Sequence, residues 1–339
     1  MNFRDLSPNQ LRVSIDLKQT YEAYRDAARA AAQYAGGFSW KTVSGHDYLI
    51  KVINRRGGTK SFGPRSEKNE AIFAEFVAGK ARAKERESNL QASIQELAGM
   101  ARGIGLNRIP SIVGATLRKL DDYGLLGKNI MVIGTNALYG YESVAGVMFD
   151  VGLLATTDVD LLWDARSTLK LALLDDEVLD AGVLAILRKV DRSFEAQVKG
   201  GFRAVNKHGF YVDLVKQAPN PPWKFGEKDQ LADNDLKPSW LPNIKWLLAS
   251  EKFHSVVIGQ DGLPAPMVSP DPRAFAVYKR WLSGQADREP TKRNRDKHQA
   301  DAVIELVRDK FPHMPLDANA ERMFPKTARS LGGENGFKL

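Results

Sequence analysis

One short stretch constrains this chain more than any other. Between Asn129 and Asp164, the apolar run Ile130-Met131-Val132-Ile133 reads as a short buried strand. Thr157-Asp158-Val159-Asp160-Leu161-Leu162 reads as a second strand. Gly134-Thr135-Asn136 follows the first strand directly and leads into an Ala/Leu/Tyr-rich piece that suits a helix. In the second strand, alternation puts Asp158 and Asp160 on one face and Val159 and Leu161 on the other. Two carboxylates about 7 Å apart along a strand face repel each other unless a cation lies between them. Oxygen ligands of this kind suit a hard divalent ion such as magnesium.

A third acid extends the pattern. Phe210-Tyr211-Val212-Asp213-Leu214-Val215 is another short apolar strand, and it carries one carboxylate. A buried acid costs several kcal/mol unless it is paired or bound to a metal. If this strand lies beside the Asp158/Asp160 strand, three carboxylates converge. Such a set can hold two Mg²⁺ (or Mn²⁺) ions, which activate a hydroxyl and stabilise a departing pyrophosphate. Each part also has a plain reading: D-x-D is common at solvated edges, G-T-N is common in turns, and a lone strand Asp often fixes register. Their order, each on a strand, favours a site.

A glycine with a small hydroxyl residue after a strand, then a D-x-D strand, then a separate single-Asp strand, resembles the DNA polymerase β-like nucleotidyltransferase superfamily. The resemblance implies that Gly134 and Thr135 stand for the family's Gly-Ser turn and, with Asn136, bind NTP phosphates. It implies that Asp158, Asp160 and Asp213 bind two metal ions. Thr135 departs from the commoner Ser but keeps a hydroxyl. The gap from Gly134 to Asp158 is longer than in minimal members, so an insertion must fit around Tyr141 to Ala155.

Composition narrows the remaining choices. The 339 residues suffice for two or three domains. No run approaches the ~20 apolar residues of a membrane span, and the opening MNFRDLSPNQ lacks the apolar core of a signal peptide. The cytoplasm is the expected compartment, with no membrane partner. There is no cysteine, which excludes disulfides, thiol catalysis and Cys-based zinc sites. The five histidines have no metal-site spacing. A net charge of +8 favours a polyanionic partner: RNA, DNA or the nucleotide itself.

The N-terminal third reads as a helical stretch over 1–37, ending at Gly36-Gly37, followed by a hairpin. Tyr48 to Asn54 alternates like a strand, Arg55-Arg56-Gly57-Gly58 is a turn, and Lys60-Ser61-Phe62 returns. Lys51, Arg55, Arg56 and Lys60 form a basic tip with two readings: contact with a nucleic-acid backbone, or protection of an exposed sheet edge. Residues 66–103 read as one long polar helix, or two broken near Gly79. Pro110 to Leu126 reads as a helix, and the segment also resembles a helix-turn-wing element.

Phe194 to Asp213 reads as two strands around Asn206-Lys207-His208-Gly209. Arg203, on the strand before Asp213, can serve a triphosphate or the structure. Residues 217–268 are rich in Pro and Trp, with a hairpin turning at Asp261-Gly262. A helix of mixed surface bearing Lys279 follows, then the basic segment Lys292 to Asp296 and a last helix. This order resembles the helical half of nucleotidyltransferase toxins of abortive-infection and toxin–antitoxin systems. The resemblance implies that Lys279 meets the NTP phosphates, with Arg295 and Asp296 beside the cleft, and it adds an antitoxin protein as a partner.

The expected class is α/β (α+β): a nucleotidyltransferase core with a short mixed sheet, a helical C-terminal domain and an N-terminal helix plus β-hairpin appendage. The expected boundaries are 1–108, 109–216, 217–312 and a tail over 313–339. The expected reaction moves NMP from an NTP to an acceptor hydroxyl, RNA (tRNA-like) first, a protein or a small molecule otherwise. A nucleic-acid-binding regulator with an inactive transferase core is the alternative outside enzymology.

Overall fold

The computed structural model describes residues 2–52, 58–164, 176–219 and 235–316, with no side-chain description for 176–181. In chain order the elements are β1 (Phe3–Asp5), α1 (Pro8–Ala32), β2 (Gly37–Val43), β3 (His46–Val52), β4 (Thr59–Pro64), α2 (Glu67–Gly103) and α3 (Ser111–Asp122). Then come β5 (Ile130–Ile133), α4 (Ala137–Ala145), β6 (Val147–Phe149), α5 (Val151–Leu154) and β7 (Asp158–Trp163). After them lie α6 (Asp176–Val190, kinked at Gly182), β8 (Glu195–Ala196), β9 (Arg203–Val205), β10 (Tyr211–Gln217) and β11 (Ser239–Leu241). The last elements are α7 (Lys245–Ala249), β12 (Lys252–Ile258), β13 (Pro264–Pro270), α8 (Pro272–Ser283) and α9 (Pro290–Lys310). The expected α+β class with a short mixed sheet is what the chain adopts. No helix among the described residues is long and apolar enough to cross a membrane.

The chain forms two compact units. One comprises residues 1–11 and 104–339, the other residues 12–103. The first holds a six-stranded mixed sheet in the order β5-β7-β10-β9-β8, with β11 also on β10. β10 runs parallel to β7, pairing Tyr211 with Asp158 and Asp213 with Asp160. Its other edge is shared: β9 runs antiparallel along the first half and β11 parallel along the second.

Strand alternation divides the core between the two faces of this sheet. Ile130, Val132, Val159, Leu161, Val212 and Leu214 pack with Leu117 and Leu120 of α3 and Leu184 and Leu187 of α6. Met131, Ile133, Leu162 and Val215 pack with Trp246 and Leu247 of α7 and Ala274, Val277 and Tyr278 of α8. Asp160 shares the face of Leu162, and Asp213 the face of Val215, so both acids lie on the side covered by α8.

In the second unit β2, β3 and β4 form an antiparallel meander. Its aromatic residues meet α2: Phe38 lies 4.8 Å from Phe76 and Trp40 5.9 Å from Phe73, ring centre to ring centre. α2 is a single helix, about 55 Å long at 1.5 Å per residue. Gly79 does not break it. A Cβ there would stand 2.4 Å from the Tyr34 hydroxyl oxygen, so the glycine serves close packing.

Several local expectations are corrected. Phe3–Asp5 is a strand paired with β6, not helix. A three-residue strand carries no periodicity to read. Gly37–Val43 is a strand of its own, which makes the hairpin a three-stranded meander. α3 stops at Asp122, four residues before the expected Leu126, where the chain turns through Gly124 into Leu125. The turn carrying Arg55 and Arg56 lies outside the described residues, as do Trp223 and the tail from 317.

Candidate active site

β5 ends at Ile133, opposite Asp160 of β7. The chain then leaves the sheet through Gly134, in the left-handed region at φ +65°. A Cβ on Gly134 would lie 2.1 Å from Asp160 Oδ2, so no side chain fits against that carboxylate. Gly134–Asn136 forms one tight turn that opens into α4. Asn136 Nδ2 donates to the Asp158 carbonyl at 2.7 Å, which ties the turn to β7. Thr135 and Asn136 are buried. The Thr135 hydroxyl accepts from Gln299 Nε2 at 3.1 Å, and the same nitrogen donates to the Leu153 carbonyl at 2.7 Å. Among the described residues, Asn136 Oδ1 and Gln299 Oε1 are buried with no hydrogen-bond partner, two unused acceptors around this turn.

The parallel β7–β10 register brings the three expected acids to one face, with Asp213 directly beside Asp160. Thr156 Oγ1 donates to Asp158 Oδ1. Burial first, and then the negative charge of Asp158, push the Asp160 carboxyl up to about 7. Asp213 adds to the rise, while Lys279 and Arg203 oppose it. Three carboxylates on this face thus meet two opposing cations, Lys279 and Arg203.

Arg203 and Asp213 are partners across β9 and β10. Arg203 Nε donates to Asp213 Oδ1 and Nη2 to Oδ2, each at 2.6 Å, a bidentate pair. The guanidinium also sits 4.7 Å from the Tyr211 ring centre. Among the described residues no group of three or more Asp, Glu or His is arranged as a ready metal cage. Arg203 accounts for part of this, because it already neutralises Asp213. The donor chemistry still fits a divalent ion. The candidate donors are hard carboxylate oxygens that outnumber the cations facing them, and the chain can approach Asp160 so closely only because position 134 has no side chain.

The expectation of a mixed-surface helix around Lys279 is corrected. Lys279 is 5% exposed, and its Nζ donates to Asp296 Oδ1 at 2.7 Å. Asp296 is fully buried and also accepts from Arg288 Nε at 2.9 Å. Burial lowers the Lys279 ammonium's affinity for its proton, and Asp296 and then Asp160 raise it. Arg295 Nε is buried with no hydrogen-bond partner among the described residues. Sequence reasoning missed Thr156, Tyr278 and Gln299. Burial raises the Tyr278 phenol, to which the charges of Asp160 and Asp296 also contribute. Gln299 comes from α9, and no sequence signal marked it.

Lys51 and Lys60 lie on β3 and β4 in the other unit. Arg55 and Arg56 lie outside the described residues.

A strand–glycine turn–helix, a D-x-D strand and a parallel single-Asp strand make a core of nucleotidyl-transferring type. The sequence model of a family described as nucleotidyltransferase matches residues 111–324, more than half of the chain. The chain belongs to this nucleotidyltransferase family and is a transferase enzyme. No curated protein and no solved structure matches it.

Proposed function

We propose that this enzyme transfers a nucleoside monophosphate from an NTP to a hydroxyl of RNA, with Mg²⁺ or Mn²⁺ held by Asp158, Asp160 and Asp213. One observation carries the reading: three carboxylates share one face of a parallel strand pair, opposite a glycine with no room for a side chain. A divalent ion at these oxygens lowers the acceptor hydroxyl's pKa and offsets charge on the triphosphate.

The protein's own residues then have distinct tasks. With an ion bound, Asp160 would serve as a carboxylate ligand; burial and Asp158 raise its carboxyl to about 7 in the protein alone. Asp213 exchanges its Arg203 partner for the acceptor side of the site, and Arg203 turns to the triphosphate. The Gly134–Asn136 turn presents backbone N–H groups and the Thr135 hydroxyl at the start of α4, where negative phosphate charge is favoured. Lys279, held by Asp296, adds fixed positive charge beside Asp160 that favours the departing pyrophosphate. In-line attack then needs positioning and charge stabilisation, with no covalent intermediate. RNA is favoured as acceptor by the +8 net charge. The toxin-type likeness of the α8–α9 region adds a cytoplasmic antitoxin-bound toxin as the biological setting. Growth arrest on expression, relieved by Asp158→Ala, tests that setting.

The direct test incubates the purified chain with each α-³²P-labelled NTP, Mg²⁺ or Mn²⁺, and total cellular RNA. Label on RNA that vanishes in Asp158→Ala/Asp160→Ala is the expected result. Label on protein instead would replace RNA by a protein acceptor. Label on RNA that persists in the variant would refute the site.

A further inference from the structure

Three lysines of the 12–103 unit converge on one aromatic cluster. Lys51 Nζ stands 5.6 Å from the Phe38 ring centre and 6.0 Å from that of Phe76. Lys80 Nζ is 5.9 Å from Phe76, and Lys60 Nζ is 5.7 Å from Phe62. Phe38 joins the group, 5.0 Å from Phe62 and 4.8 Å from Phe76. Lys51 and Lys60 are also directly opposite each other in the β3–β4 ladder. Like charges in that position destabilise a sheet.

No ion pair among the described residues relieves them; Lys80 donates only to the Gly36 carbonyl, at 3.0 Å. Arg65 in the same unit is treated differently. It pairs with Glu70 at 2.7 Å and Asp47 at 3.3 Å while lying over Trp40. The unit thus has carboxylates but does not place them at the lysine cluster. Its sequence holds sixteen Lys and Arg against ten Asp and Glu, a net +6 of the chain's +8. Phe62 keeps 38% of its surface exposed beside Lys60. A partly exposed aromatic ring among cations that no ion pair among the described residues relieves matches a strand of bases and phosphates better than an isolated phosphate.

We infer that the β2–β4/α2 unit is the RNA-binding module of this enzyme, with Lys51, Lys60 and Lys80 on backbone phosphates and a base stacked on Phe62. The inference rests on the RNA-directed reading above and names the surface that holds the acceptor.

The test measures binding of the full chain to a fluorescein-labelled 20-nucleotide single-stranded RNA by anisotropy, from 50 to 200 mM KCl. Lys51→Glu/Lys60→Glu is expected to weaken binding about 10- to 100-fold at 100 mM salt. It should also flatten the salt dependence by roughly 1.4 in log–log slope, the loss of two single-strand phosphate contacts. Lys51→Gln/Lys60→Gln, which removes the like-charge pair and keeps the length of a polar side chain, guards against misfolding and should lose about 10-fold. Phe62→Ala should lose about 5- to 10-fold with an unchanged slope, the signature of stacking. Lys68→Glu, an equal charge change on an exposed residue of α2, should stay within about twofold. Equal losses for Lys68→Glu and the cluster variants, or binding to heparin or anionic vesicles but not RNA, would overturn the proposal.

Two further results separate this inference from the transferase reading. RNA affinity that survives Asp158→Ala/Asp160→Ala, with no nucleotide transfer to any acceptor even by the unaltered chain, keeps the module and removes the RNA-directed reaction. Transfer to RNA that is undiminished in Lys51→Glu/Lys60→Glu at sub-saturating RNA keeps the reaction and removes the module.

Discussion

The two units solve the same electrostatic problem in different ways. The sheet of the first unit crowds carboxylates: Asp158, Asp160 and Asp213 share a face, and the fold answers with hydrogen-bonded cations, Lys279 buried and Arg203 partly exposed. Arg203 grips Asp213 with two hydrogen bonds, and Lys279 is anchored by Asp296. The meander of the second unit crowds lysines, and the fold answers with phenylalanine faces instead of carboxylates. Compensation by a fixed ion is strong in a low-dielectric site. Compensation by an aromatic face near solvent is worth about 0.5–1 kcal/mol. The first arrangement holds its charges in defined places, as transfer chemistry requires. The second leaves positive charge available at the surface, as binding a flexible polyanion requires.

The largest expected effect breaks the acidic side of this comparison. Asp160→Asn should lower nucleotide transfer at least about 1,000-fold, since fixed charge at the transition state does most of the work in such chemistry. It should also stabilise the free protein. Asp160 is raised from 3.8 to about 7 in the fold. Between those values the folded chain binds a proton that the unfolded chain has lost, so stability falls as pH rises from about 4 to about 7. The accumulated loss is on the order of 4 kcal/mol at pH 8. An amide at this position cannot titrate. Thermal melts should show Asp160→Asn more stable by several degrees at pH 8, the gap closing toward pH 4. A gap that widens toward low pH would contradict the raised Asp160 carboxyl.

Lys279→Met tests whether fixed compensation is structural as well as catalytic. It removes one of two cations from the fully buried Asp296. Urea unfolding should show a loss of about 3 kcal/mol, the scale for breaking a buried pair.

A matched glycine pair sharpens the contrast at the backbone level. Gly134 and Gly45 both have positive φ, at +65° and +79°. Of the two, only Gly134 would drive a Cβ into another residue, whereas a Cβ on Gly45 would meet nothing within 4 Å among the described residues. Gly45→Ala should cost about 1 kcal/mol, the backbone strain alone. Gly134→Ala should cost about 2–3 kcal/mol and reduce transfer by a further factor of about 100, read in the same melts and labelling assays.

The smallest effect belongs to the paired cation of the second unit. Arg65→Ala breaks exposed contacts to Asp47 and Glu70. It should leave the thermal midpoint nearly unchanged, as exposed ion pairs do, and alter RNA binding by under about twofold.

The acidic strands were legible because two-residue alternation is a local property. Asp158, Asp160 and Asp213 each sit among apolar residues whose spacing alone sets the strand and its faces. The glycine turn was legible for the same reason. The surroundings of Lys279 were not, because a helical pattern does not say which neighbouring helix covers which face. Lys279 meets Asp296 seventeen residues away and Arg288 joins them from the loop before α9, an arrangement fixed only when α8 and α9 pack. Gln299 reaches Thr135 across 164 residues, a distance over which no sequence pattern operates. β1 escaped because three residues are too few to show a period, and β2 because the hairpin reads as starting only at Tyr48, which leaves Gly37–Val43 between the helix and its first strand.

The most direct measurement is the anomalous scattering of manganese in crystals of the full chain grown with Mn²⁺ and a non-hydrolysable NTP analogue. The account predicts manganese peaks bounded by the carboxylates of Asp158 and Asp160, Asp213 released from Arg203, and the triphosphate against the Gly134–Asn136 turn. Manganese and nucleotide bound elsewhere, with the Arg203–Asp213 pair intact, would contradict it.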